Sequence, residues 1–162
     1  MNKCFNLIQY KKAWDKETAL RELRRWCAVQ ERSHEEVRLK LIEHRIFGDA
    51  LEEILAALIA DDFLNETRFA MAYVSGKFKI NDWGKNKILA GLKLKKISPY
   101  NIKKAMASID DDMYRATIKK LIAKKSKTIG LQSPEGRKKV LAYLLQKGFE
   151  SEWVYPMLQM ED

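Results

Sequence analysis

The sequence predicts an all-α fold of three tandem three-helix modules, about nine short helices in all, and three observations carry that prediction. Glycine and proline are scarce, with 7 and 3 in 162 residues, against roughly 12% in an average protein. Sandwiches and barrels use such residues at every hairpin, so the scarcity points to helices joined by short connections. Apolar residues recur at helical spacing behind recognisable cap signals. The same apolar positions then return at intervals of 51 and 52 residues.

Residues 1–15 lie outside the repeat and stand as an N-terminal extension, either an extra element or a loose arm. In the first module, 16–62, Leu20, Leu23 and Cys27 share one helical face. Ser33-His34-Glu35-Glu36 is a capping box, in which the serine oxygen takes an orphan amide and the glutamate reaches back. Val37, Leu41 and Ile42 follow it. Gly48-Asp49 breaks and restarts the chain before Leu51, Ile54, Leu55, Leu58 and Ile59. In the second module, 63–110, Asn65 caps a helix beginning near Glu66, and Gly84 is expected to supply a positive-φ turn before Ile88 and Leu92. Ser98-Pro99 then starts the helix of Ile102, Ala105, Met106 and Ile109. In the third module, 111–162, Ile118, Leu121 and Ile122 form a buried stripe with Lys119, Lys120, Lys124 and Lys125 turned outward. Ser133-Pro134-Glu135 repeats the start signal ahead of Val140, Leu141, Leu144 and Leu145.

Five apolar columns express the repeat: Val37, Ile88, Val140; Leu41, Leu92, Leu144; Ile46, Ile97, Phe149; Leu51, Ile102, Val154; and Leu55, Met106, Leu158. Any two amphipathic helices slide into partial register by chance. One interval shared by a helix, its exit turn and the next helix is harder to obtain that way. Modules of this length cannot bury their apolar faces without neighbours.

Charge gives the next clue. Hydrophobic residues make up 46% and charged residues 33%, which excludes a disordered chain. The net charge of +9 is concentrated. Residues 67–109 hold 10 basic and 1 acidic side chain, and residues 113–139 hold 9 and 1. The segments 1–66, 110–112 and 140–162 are net negative. A single lysine usually keeps a helix soluble, but a block with one acid among eleven charges points to a polyanion such as nucleic acid. No run approaches the ~18 apolar residues of a membrane span and the start lacks a secretory pattern, so the expected location is the cytoplasm, with no membrane partner. A monomer is expected. With two cysteines, Cys4 and Cys27, a buried reduced thiol is expected rather than a disulfide.

Catalytic and cofactor signatures are absent. His34 and His44 are ten residues apart, not the i, i+4 pair of a zinc helix, and there is no CxxC. The glycines at 48, 76, 84, 91, 130, 136 and 148 fit neither phosphate-binding loop pattern. Asp61-Asp62 and Asp110-Asp111-Asp112 read as helix-start charges meeting the dipole rather than as metal ligands. A non-enzyme without metal or cofactor is the expectation.

The informative stretch is Asp62-Phe63-Leu64-Asn65-Glu66, Arg68-Phe69-Ala70, Tyr73-Val74, Trp83-Gly84 and Lys95-Lys96-Ile97. Phe63, Leu64, Phe69, Tyr73, Ile88 and Leu92 most simply form a core. Lys77, Lys79, Lys85 and Lys87 cluster at a helix end and the following turn, where amides and ammonium groups can meet phosphate together. Trp83 is either a base-stacking ring or a core plug. This pattern resembles the RecX family of regulators of the recombinase RecA. The likeness extends weakly from about Thr18 to Leu158, including Lys147-Gly148-Phe149. Asp62 and Lys96 stand where the family pattern favours glycine.

The resemblance implies an elongated, curved helical array that binds the RecA filament and single- or double-stranded DNA and modulates strand exchange and ATP hydrolysis, in the DNA-repair and SOS context. The expected contacts are Lys77, Lys79, Lys85, Lys87, Lys93, Lys95 and Lys96, then Lys119, Lys120, Lys124, Lys125, Arg137, Lys138 and Lys139. Phe63, Leu64, Arg68, Phe69, Tyr73, Gly84, Ile88 and Ile97 are the structural motif. Arg68 is read as pairing with Asp61 or Asp62 at a module junction, the alternative being contact with phosphate or RecA. Lysines touch phosphate and carry no base code, so DNA binding should be sequence-tolerant. The competing classes are a sequence-specific helical regulator, which would want base-reading Arg, Asn or Gln, and a helical-repeat adaptor that binds an acidic protein without nucleic acid.

Overall fold

The computed structural model describes residues 11–159. Among these residues every regular element is a helix, and there are nine: α1 (Lys16–Val29), α2 (His34–Glu43), α3 (Gly48–Ala60), α4 (Glu66–Lys79), α5 (Lys85–Leu94), α6 (Pro99–Met106), α7 (Asp111–Ser126), α8 (Pro134–Gln146) and α9 (Ser151–Gln159). The chain divides into two compact units, residues 1–69 and 70–162, with the boundary inside α4.

In the first unit α3 packs on α1 and on α2. Leu23, Val37, Leu41, Ile54 and Leu58 are fully enclosed, with Cys27 and Leu64 beside them. Burial pushes the Cys27 thiol up to about 11. The expected capping box is complete, since Ser33 Oγ accepts from Glu36 N at 3.1 Å and the Glu36 carboxylate accepts from Ser33 N at 2.9 Å. Within the extension, Lys11 N donates to Glu43 O at 2.8 Å and Trp14 N to His44 O at 3.2 Å, so residues 11–15 run along the end of α2. Trp14 stacks on His44 with centroids 3.4 Å apart, and His44 Nδ1 donates to Lys12 O. The rest of the extension, 1–10, lies outside the described residues.

The second unit is built around Tyr114 of α7, which is buried with Phe78 and Phe149 and edged by the half-buried Trp153, at centroid distances of 5.2 to 5.8 Å. Here α5 packs on α6, and α7, α8 and α9 pack on one another. Ser98, Asp110 and Ser133 cap α6, α7 and α8 through Asn101 N, Met113 N and Gly136 N. The stripe Ile118, Leu121, Ile122 is buried as the spacing predicts.

The repeat is visible in the backbone. Arg45, Lys96 and Gly148 all have positive φ, at 62°, 54° and 92°. Each is followed by the same helix-closing bond: Ile46 N to Leu41 O, Ile97 N to Leu92 O, and Phe149 N to Leu144 O, at 3.0 to 3.2 Å. That is the Schellman ending, in which one left-handed residue lets the chain fold back over its last turn. Asp62, at φ 59°, closes α3 in the same way. Three apolar columns are buried throughout, whereas Ile102 and Met106 are half-buried on the short α6.

Two expectations need correction. Gly84 does not provide a positive φ; it sits at φ −76° as the residue capping α5. A Cβ there would overlap the Gly148 carbonyl carbon and the Phe149 amide, so glycine is required for close approach. Gly84 N donates to Lys147 O at 2.9 Å and Asn86 N to Gly148 O at 3.0 Å across that contact. Asp61-Asp62 is not a helix start. Asp61 ends α3 and Asp62 takes the left-handed position after it, while Asp110 to Asp112 do begin α7.

Candidate nucleic-acid interface

Helix ends and turns of the second unit deliver its cations to the surface. Lys77 lies in the last turn of α4 and Lys87 in the first turn of α5. Their ammonium groups stand 4.8 and 4.5 Å from the centroid of Trp83, the ring carried by the turn between them. On the neighbouring helices, Lys125 of α7 and Lys147 at the end of α8 stand 4.7 and 5.9 Å from Tyr143. The two groups meet at one turn. Lys147 Nζ donates to Asn81 O at 3.0 Å, and Lys120 Nζ pairs with Asp82 at 2.6 Å. Burial and the Asp82 carboxylate raise the Tyr143 pKa above its ordinary value.

The other expected contacts differ in exposure and partners. Lys79, Lys93, Lys119, Lys124, Lys138 and Lys139 are exposed and make no ion pair among the described residues. Lys95 is half-buried and Lys96 exposed at the end of α5. Arg137 is half-buried, donating to Leu131 O at 3.1 Å. With Lys138 it borders a shallow pocket of about 230 Å³ floored by Leu141, Tyr155 and Leu158.

Lys85 does not belong with the surface lysines. Its ammonium lies 4.6 Å from the Tyr114 ring and 5.2 Å from Trp153 and pairs with Asp111 at 3.0 Å. Nor are the first amides of α5 open to a phosphate: Lys85 N donates to Tyr114 Oη and Asn86 N to Gly148 O. Tyr114 Oη in turn donates to the Glu150 carboxylate, and burial together with that carboxylate raises the phenol's pKa.

The motif residues are internal. Leu64, Phe69, Ile88 and Ile97 are buried, and Phe63 and Tyr73 half-buried, with the Tyr73 hydroxyl packed across Gly91. Arg68 pairs with Asp62 at 2.7 Å and with Glu31 at 2.8 Å, and also donates to the Asp62 carbonyl. Asp61, the other expected partner, pairs with Arg24 instead. The sequence reading missed Lys147 and Tyr143, because both lie in a segment of net negative charge. Their only signal was the Lys147-Gly148-Phe149 turn, which the repeat aligns with Lys95-Lys96-Ile97.

Comparison with known proteins places this architecture. The family model for the second three-helix domain of RecX matches residues 65–106, and that for the third matches 111–156, together more than half of the chain. The chain belongs to the RecX family. It is 26% identical over 139 residues to "Regulatory protein RecX" of Herminiimonas arsenicoxydans, covering 85% of this chain and 89% of that protein. The protein of that name from Bacillus licheniformis is 30% identical over 141 residues, and that from Bacillus pumilus 33% over 137. This chain spans about half the length of these two, at 52% and 51%. Crystal structures titled for RecX of Lactobacillus salivarius and for a regulatory protein RecX superpose with TM-scores of 0.78 and 0.79 at 24% identity. They cover 90% of this chain, and 95% and 72% of theirs. Both matched RecX domains are those that carry the lysine blocks. The chain is thus a member of a family of regulatory proteins. No helix among the described residues is long and apolar enough to cross a membrane.

Proposed function

We propose that this RecX-family protein regulates homologous recombination and DNA repair by binding the RecA-DNA filament and slowing RecA ATPase and strand exchange. The supporting observation is the density of exposed lysines on the second and third domains, of which Lys79, Lys93, Lys119, Lys124, Lys138 and Lys139 have no acidic partner among the described residues. A surface of this composition gains affinity by releasing counterions from phosphates. The cations are almost all lysine, so the contact tolerates any base sequence. The protein acts by occupying the filament, in the cytoplasm and as a monomer, with no catalytic group of its own.

The DNA contact is tested by anisotropy titration of labelled DNA over a salt series. With about six phosphates engaged, log affinity falls against log salt with a slope near −5. Affinities for unrelated sequences should agree within about twofold. A flat salt response removes the DNA half of this reading and leaves an adaptor that binds an acidic protein.

A further inference from the structure

We propose that Trp83 and Tyr143 are stacking platforms for unpaired bases, so that this surface holds single-stranded nucleic acid more tightly than duplex. The inference deepens the DNA-binding reading above and rests on it.

Each ring carries two ammonium groups close to it: Lys77 and Lys87 at Trp83, Lys125 and Lys147 at Tyr143. Both rings are partly exposed rather than enclosed. They belong to one neighbourhood, because Lys147 reaches both the Tyr143 ring and the backbone carbonyls of Asn81 and Asp82, the latter bonded directly to Trp83. The structure therefore brings together an aromatic face with two cations, Lys77 and Lys87, a bridging lysine, Lys147, and a second aromatic face with one further cation, Lys125.

Single-stranded nucleic acid has matching parts. Its bases offer flat faces and its backbone one negative charge per nucleotide. An exposed cation–π contact is weaker than a base stacked on an aromatic ring. An arriving base therefore displaces the lysine from the ring, and the lysine finds its new partner in the adjacent phosphate. The flexible four-carbon stem permits that movement. A duplex offers the phosphates but keeps its bases stacked internally, so it uses the lysines without the rings. Trp153, also half-buried, differs in its partners: it packs edge-on against Tyr114, and the lysine at its face, Lys85, is paired with Asp111.

The test compares the parent chain with its Trp83→Leu and Tyr143→Leu variants on a labelled oligothymidylate and on a blunt duplex, by anisotropy at low salt. Each variant should lose about tenfold in affinity for the single strand, while duplex affinity stays within about twofold. Trp83→Phe and Tyr143→Phe, which keep a ring, should retain single-strand binding within about threefold. These variants also guard against loss of fold, checked by thermal melts of all four. Lys125→Ala with Lys147→Ala should weaken both nucleic acids. Equal losses on both, or none on either, from the leucine variants overturns the stacking inference while the polyanion reading stands on the lysine result. Absence of wild-type binding to either nucleic acid overturns both.

Discussion

Gly84→Ala tests how the second unit holds together. The added methyl would overlap the Gly148 carbonyl carbon and the Phe149 amide nitrogen, both main-chain atoms that cannot rotate aside. The two turns must separate, which breaks the Gly84 N to Lys147 O and Asn86 N to Gly148 O bonds. Each buried bond is worth about 1 kcal/mol, and overpacking of this kind costs about 1 to 3 kcal/mol. The sum is about 3 to 5 kcal/mol, a large part of the 5 to 15 kcal/mol that stabilises a typical protein. Thermal unfolding followed by circular dichroism should show the midpoint falling by roughly 10 °C or more. Gly84→Ser, which carries the same Cβ, should behave alike. A variant within about 0.5 kcal/mol of the parent would refute the reasoning, since that is the size of a neutral surface change.

Three other predictions concern single residues. Lys96→Gly should raise stability by about 1 kcal/mol in urea melts, because a side chain at φ 54° is strained and glycine is not; a loss would mean that lysine contacts outweigh the strain. Arg68→Ala should lower stability by about 1 to 2 kcal/mol while changing DNA affinity less than twofold, since its partners are Asp62 and Glu31 and its exposure weakens each pair. The reverse pattern would make Arg68 a binding residue. With its pKa raised to about 11, Cys27 stays a protonated thiol in the folded state at pH 8. In a Cys4→Ser background its alkylation at that pH should be slow until urea unfolds the chain, and rapid native labelling would contradict its burial.

Helix number, caps and the repeat were legible because they depend on local rules: a serine that accepts an amide, an apolar stripe, a turn residue. The left-handed positions were partly legible. Asp62 and Lys96 stood out as replacements for glycine, and both adopt the conformation that glycine would ease. Gly84 was misread because its role comes from a chain segment more than sixty residues away, which no local pattern encodes. The partners of Lys85 were not legible for the same reason: only folding brings Tyr114, Trp153 and Asp111 around it. The basic blocks coincide with the matched second and third RecX domains, and Trp83 was read as either a stacking ring or a core plug, but nothing in the local pattern pointed to Tyr143. Tyr143 and Lys147 acquire meaning from Lys125 and Asp82 across the fold.

The most direct measurement of the central claim is the single-strand-dependent ATPase rate of RecA titrated with this protein, beside a variant carrying Lys77→Ala, Lys87→Ala, Lys125→Ala and Lys147→Ala. The account predicts that the parent slows hydrolysis progressively toward stoichiometric levels, and that the variant, equally folded, needs about tenfold more protein for the same effect. An ATPase rate unchanged by a stoichiometric amount of the parent would contradict it.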